Sequence, residues 1–288
     1  MDPKTIVVPF GGHDNELTAL EYAFNLAEAF ESHVEVWHIS PDPATAIIPY
    51  VIYDMPVYPE GAFAEMDKIS EKNKILARDK YLKTARKMKI DHLEKVGIVK
   101  HASSSFHTAI GQAGNILSIR GRVSDLIVMS KPLKKHGEND VVTDVLFNSG
   151  RAVLLVPPEK EAKKFNGKVL IAWNGSRESS HAVALSMPYL GQGNTWVLTE
   201  EDGESRKFPL SASDLADYLR RHNVQAETLK GLKKESSLSV SILNTAKALD
   251  AGMIVMGAYS HSRMRELVLG GVTKFMLHDS ELPVFMAH

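Results

Sequence analysis

The sequence predicts an α/β protein in which one doubly wound unit is written twice, each copy a mainly parallel five-stranded sheet with helices on both faces. Three observations predict it. Short continuous apolar runs such as IVV, LIVM and MIVM alternate with longer amphipathic stretches, the pattern of strands buried on both faces and joined by crossover helices. The stretch "TIVVPFGGHDNELTALEYAFNLA" from Thr5 matches "KVLIAWNGSRESSHAVALSMPYL" from Lys168 in pattern: an apolar run, an aromatic (Phe10, Trp173), a glycine turn, then a helical period. Two more pairs keep the same order: "DLIVMSK" (Asp125 to Lys131) with "GMIVMGA" (Gly252 to Ala258), and "RAVLLVP" (Arg151 to Pro157) with "LPVFMAH" (Leu282 to His288).

The first pair is offset by 168 − 5 = 163 residues, far beyond solenoid periods. Domains are therefore expected at 1–157 and 168–288, joined by the Pro-then-charged run "PPEKEAKKFNG" (Pro157 to Gly167). Strands of the first copy are predicted at Thr5–Pro9, His33–Ile39, Gly97–Lys100, Leu126–Met129 and Val153–Val156. Those of the second are predicted at Lys168–Trp173, Thr195–Leu198, Gln225–Leu229, Met253–Met256 and Pro283–Ala287. Helical periodicity covers Asn15–Phe30, Met66–Lys89, Thr108–Arg120, Ser179–Leu190, Ala212–Arg221, Leu238–Leu249 and Met264–Leu277.

Composition narrows the functional classes. With 44% hydrophobic and 24% charged residues, the 288-residue chain reads as a globular protein. Lys plus Arg (34) nearly balances Asp plus Glu (35), so bulk charge points neither to nucleic acid nor to a membrane surface. There is no cysteine, which excludes disulfides, thiolate nucleophiles and Cys-ligated metals. The opening Met-Asp-Pro-Lys-Thr has no basic head and apolar core of signal-peptide type, and no run approaches 18 apolar residues, so a cytoplasmic location is expected.

The segment "MGAYSHSRMRELVLGGVTKFML" (Met256 to Leu277) and the phrase "AWNGSRESSHAVA" (Ala172 to Ala184) together resemble the universal stress protein family, in its form with two tandem domains. Nucleotide-binding members carry G-x2-G-x9-G-[S/T] after the fourth strand. Gly257, Ser260, Gly270 and Gly271 keep that spacing, with Ser for the second Gly and Gly for the terminal Ser/Thr. The resemblance implies flavodoxin-like (adenine nucleotide alpha hydrolase-like) domains. It also implies ATP or another adenine nucleotide, with or without magnesium, on the second domain.

Gly257, Ser260, Gly270, Gly271, Val272 and Thr273 would then line the phosphates, where backbone N–H groups and a helix dipole can converge. His261 and Arg263 add charge. Ala172, Trp173 and Asn174 would meet the adenosine part. There the family usually has Asp, and Asn174 keeps hydrogen bonding but loses the charge. The first copy has Gly11 at that position and is four residues shorter between the fourth and fifth strands: 23 positions from Ser130 to Val153, against 27 from Gly257 to Val284. Its loop, with Pro132 and no paired glycines, reads as a solvated basic segment (Lys131, Lys134, Lys135, His136) rather than a nucleotide cradle.

Rival chemistry is weaker. "PFGGHDNE" (Pro9 to Glu16) is reminiscent of the pyrophosphate loop of ATP pyrophosphatases, but Phe10 and Asn15 replace both serines, and a turn capped by Asp14 or Asn15 explains the residues equally. The twelve histidines supply no ligand spacing that defines a metal site, and "HASSSFH" lacks a nucleophile-elbow context. With no nucleophile–base–orienter set, the expected role is a stress-response regulatory protein that senses adenine nucleotide in its second domain, at most a slow ATPase. The alternative is a protein-interaction or small-molecule-binding module that no longer binds nucleotide. The two domains are expected to dock as an internal pseudo-dimer through Val153–Val156 and Pro283–Ala287, leaving both a homodimer and an unknown protein partner open. "PDPATAIIPYVIYDMPVYPEGAFAEMDK" (Pro41 to Lys68) is an apolar, Pro-rich insertion whose expected role is packing.

Overall fold

The computed structural model describes all residues except 1, 47–49, 53–54, 58–59, 133–137, 160–161, 200–209, 230–236 and 260–270. The N-terminal half runs β1 (Thr5–Pro9), α1 (Asp14–Phe30), β2 (His33–Ser40), α2 (Pro43–Ala46), β3 (Tyr50–Ile52), β4 (Met55–Val57), α3 (Ala62–Lys87), β5 (Asp91–His92), β6 (Ser103–Ile110), α4 (Ala113–Gly121), β7 (Leu126–Ser130), α5 (Glu138–Asn148) and β8 (Val153–Val156). The C-terminal half follows as β9 (Val169–Ala172), α6 (Arg177–Ser186), β10 (Thr195–Leu198), α7 (Ala212–Arg221), β11 (Ala226–Leu229), α8 (Leu238–Ala248), β12 (Met253–Gly257), α9 (Gly271–His278) and β13 (Val284–Ala287).

Eleven of these strands form one sheet in the order β11-β10-β9-β12-β13-β8-β7-β1-β2-β6-β5. Within each half every pairing of this eleven-stranded sheet is parallel, as buried apolar strands linked by helices require. The halves meet at an antiparallel seam, where Val284, Phe285 and Met286 of β13 oppose Leu155, Leu154 and Val153 of β8. The expected strand-to-strand docking therefore exists and makes one continuous sheet. One apolar cluster lies on the face covered by α1, α3, α6 and α7, and a second on the face covered by α4, α5, α8 and α9. Both clusters cross the seam, through Leu154 and Phe285 on one face and through Leu155 and Met286 on the other.

Two described residues of the joining run, Glu159 and Asn166, are hydrogen-bonded to the flanking halves. Thr18 Oγ1 on α1 donates to the Glu159 carbonyl at 2.7 Å and accepts from its N–H at 3.1 Å. Asn166 donates to the Asp250 carbonyl at 2.9 Å and accepts from Lys168 N–H at 3.0 Å.

Two predicted elements differ. Gly97–Lys100 is not a strand, and the predicted helix from Thr108 begins only at Ala113; between them Ser103–Ile110 is a strand paired with all eight residues of β2. Serine has no intrinsic liking for strands, so partners far along the chain decide this element. Ser103 and Ser105 Oγ meet the two ring nitrogens of His33 at 2.9 and 2.8 Å, and Ser104 Oγ meets the Tyr81 hydroxyl at 2.8 Å from the opposite face. In the insertion, Pro41 to Lys68 forms α2, the small antiparallel hairpin β3–β4 and the start of α3; Tyr53 and Tyr58 lie outside the described residues.

Candidate functional site

In both halves the strand order reverses between the first and fourth strands, and open α/β sheets bind ligands in the crevice beyond the carboxyl ends at such a point. In the C-terminal half this is the gap between β9 and β12, whose Ala172 and Met256 are register partners. Ala172, Trp173 and Asn174 therefore lie beside Gly257, as the sequence pattern requires. Ser260, His261, Arg263 and Gly270 lie outside the described residues. The described part of the segment resumes with Gly271, Val272 and Thr273 in the first turn of α9.

Each described residue has a definite environment. Trp173 is 6% exposed within the core, and its indole Nε1 finds no acceptor among the described residues. Asn174 is exposed, and its Oδ1 accepts the Ser176 N–H at 3.1 Å, closing the turn that leads into α6. Ser176 caps that helix by accepting the Ser179 N–H at 3.1 Å. A Cβ on Gly257 would fall 2.4 Å from Ser179 N and 2.6 Å from Glu178 C, so this glycine lets the α6 backbone cross the end of β12. A Cβ on Gly271 would meet nothing within 4 Å, and Gly271 is exposed. Val272 is half-buried, and Thr273 packs on the buried side of α9 with Met276 and Leu277.

The N-terminal crevice, between β1 and β7, is filled from within. The Glu16 carboxylate accepts Gly11 N–H at 2.8 Å and His13 N–H at 3.1 Å, taking backbone donors that an external anion would need. Burial holds the Glu16 carboxyl above its ordinary pKa, opposed by these backbone donors. Lys80 Nζ on α3 reaches the Gly12 carbonyl at 2.7 Å and Asp14 at 2.6 Å. Gly12 lies at φ 89°, with Ala77 of α3 2.9 Å from where its Cβ would be. The turn thus resembles a pyrophosphate loop in sequence, while its donors face an internal carboxylate. The helix cap is His13, one residue before the expected Asp14 or Asn15. The three-residue spacing from His13 to Glu16 was the sequence signal for it.

Lys131, read from the sequence as part of a solvated basic loop, is instead buried at 4% exposure. Its Nζ donates to the Met276 carbonyl at 2.9 Å and to the Ser280 carbonyl, across the seam at the end of α9. Sequence alone did not single out Tyr259 either. It sits at φ 62°, its hydroxyl is 3.0 Å from Thr143 Oγ1 on α5, and its ring lies 4.7 Å from that of Phe147. Ser105 Oγ links the buried His33 to the half-buried His107, 2.8 Å from a nitrogen of each ring. Trp37 stacks on His107 at 4.7 Å, and the Arg120 guanidinium lies 4.4 Å above the Trp37 ring.

A doubly wound domain with a crevice at its topological switch point belongs to a ligand-binding class of fold. The model of the universal stress protein family matches residues 162–288. A universal stress protein from Archaeoglobus fulgidus DSM 4304 superposes with a TM-score of 0.68 at 14% identity, covering 98% of this chain and 95% of that one. A functionally unknown protein from Pseudomonas aeruginosa PAO1 superposes with a TM-score of 0.56 at 15% identity, covering 99% and 92%. At these identities the likeness establishes the fold, and it does so over both halves. No curated protein sequence matches the chain. No helix among the described residues is long and apolar enough to cross a membrane.

Proposed function

We propose that this is a stress-response regulatory protein that binds ATP or another adenine nucleotide through its C-terminal half, while the N-terminal half serves structure and partner binding. One observation carries the reading: the Gly257–Ser260–Gly270–Gly271 spacing begins at the end of β12, directly beside β9, at the switch point. Ala172, Trp173 and Asn174 would receive the adenosine, with Trp173 Nε1 a donor in need of an acceptor. Ser260, Gly270, Gly271, Val272 and Thr273 would receive the phosphates, helped by His261 and Arg263. The open space at Gly271 supports close backbone approach there. The self-filled N-terminal crevice supports a single nucleotide per chain. Among the described residues no three His, Asp or Glu side chains gather as a metal site.

A second reading, a binding module without nucleotide, draws on Gly257, whose glycine is explained by the α6 backbone alone. Calorimetric titration and thermal shift with ATP and AMP separate the two. Nucleotide at 100 times its Kd should stabilise the fold by about 2.7 kcal/mol; absence of both heat and shift at millimolar nucleotide sinks the first reading. The paired substitution Gly270→Val and Gly271→Val should abolish binding. Phosphate release from ATP should not exceed the buffer blank.

A further inference from the structure

The two halves exchange one residue each just past their fourth strands. Lys131 follows β7 and its repeat counterpart is Ala258; Tyr259 follows β12 and its counterpart is Pro132. Lys131 holds the carbonyls of Met276 and Ser280, at the carboxyl end of α9. Tyr259 is held in turn by Thr143 and Phe147 of α5. Tyr259 is therefore braced on one helix of the N-terminal half, and the far end of α9 is clamped by that half.

From this geometry we infer that Lys131, Thr143 and Phe147 are positioning residues by which the N-terminal half sets the placement of Tyr259 and α9, and so the affinity of the nucleotide site in the other half. The nucleotide part of this inference rests on the function proposed above. A cation at a helix carboxyl end satisfies carbonyls that lack intrahelical donors and favours the helix dipole. The described part of α9 is eight residues, a length that needs tertiary support to persist. Tyr259 in the left-handed region is a strained choice for a bulky side chain, sustained by its packing. Burial lowers the Lys131 ammonium pKa to about 7, with Asp279 and Glu281, the acidic groups facing it, acting the other way. Loss of the side chain would loosen the clamp without touching any residue placed at the nucleotide.

The test is amide hydrogen exchange on the full chain, with ATP titration alongside, for the unsubstituted protein, Lys131→Met and Thr143→Val. Lys131→Met should speed exchange of residues 271–278 at least tenfold, leave α1 protection unchanged, and weaken ATP binding about tenfold. Thr143→Val, nearly isosteric and so insensitive to gross misfolding, should weaken ATP about threefold. If the unsubstituted chain gives no ATP heat, the nucleotide reading fails; exchange alone then decides the coupling, upheld by faster α9 exchange and overturned by identical protection in both variants. If the unsubstituted chain binds ATP and both variants match it in affinity and exchange, the coupling is overturned while the nucleotide reading stands.

Discussion

His33 lies buried between the hydroxyls of Ser103 and Ser105, and burial depresses its pKa from 6.5 to about 4. Burial also lowers His38 and His107. A histidine depressed in the fold takes up its proton more readily when unfolded, so the stability it contributes is present above about pH 6.5 and is lost as pH falls towards 4. Urea midpoints should therefore drop steadily across that window, and a flat profile would contradict the burial. Ser105→Ala strands a ring nitrogen on both His33 and His107 and should cost about 1–3 kcal/mol, read by the same denaturation. Lys131 follows the same sign in a higher window. Its folded pKa near 7 lies below the ordinary 10.5, so the native state binds fewer protons and stability rises as pH climbs from about 7. In Lys131→Met the rise between pH 7 and 9.5 should vanish, which thermal unfolding at fixed ionic strength will check.

Among elements, the helix–strand crossing at Gly257 and the helix start at Gly271 behave differently although both are pattern glycines. Gly257→Ala drives a Cβ into the backbone of Ser179 and should cost about 1–3 kcal/mol as an overpacking change. Gly271→Ala meets open space and should stay within about 1 kcal/mol of the parent; equal losses at the two sites would refute this contrast. The same elements show what the amino-acid order made legible. Thr5–Pro9, Val153–Val156, Thr195–Leu198 and Ala212–Arg221 appear where apolar period and capping placed them, because their burial is written locally. Ser103–Ile110 was illegible because its serines become strand residues only against His33 and Tyr81. At the candidate site, the residues the resemblance implied, Ala172, Trp173 and Asn174, lie at and just past the end of a strand paired with the one that ends at Gly257. Lys131 and Tyr259 were not legible, since their partners Met276 and Thr143 stand 145 and 116 residues away.

At the scale of the whole molecule, the seam between β8 and β13 makes the two halves one folding unit. Leu154, Leu155, Phe285 and Met286 are essentially fully buried there, in clusters shared by both halves. The chain has three tryptophans, Trp37 in one half and Trp173 and Trp196 in the other. Variants keeping Trp37 alone or Trp196 alone should report one coincident urea transition, as two-state unfolding demands; two separated midpoints would show that the halves melt independently. Phe285→Ala should lower both by the same amount, for a loss of about 3–5 kcal/mol. The seam also changes what mutation can explore. In an assembly of two identical chains, every substitution is made twice and must suit both sides of the axis. Here a lysine can stand at 131 while an alanine stands at 258, and one crevice can close on its own Glu16 while the other is left to vary. Carried on one chain, the two halves are not bound by that symmetry, and each can vary as an unlike member of one sheet.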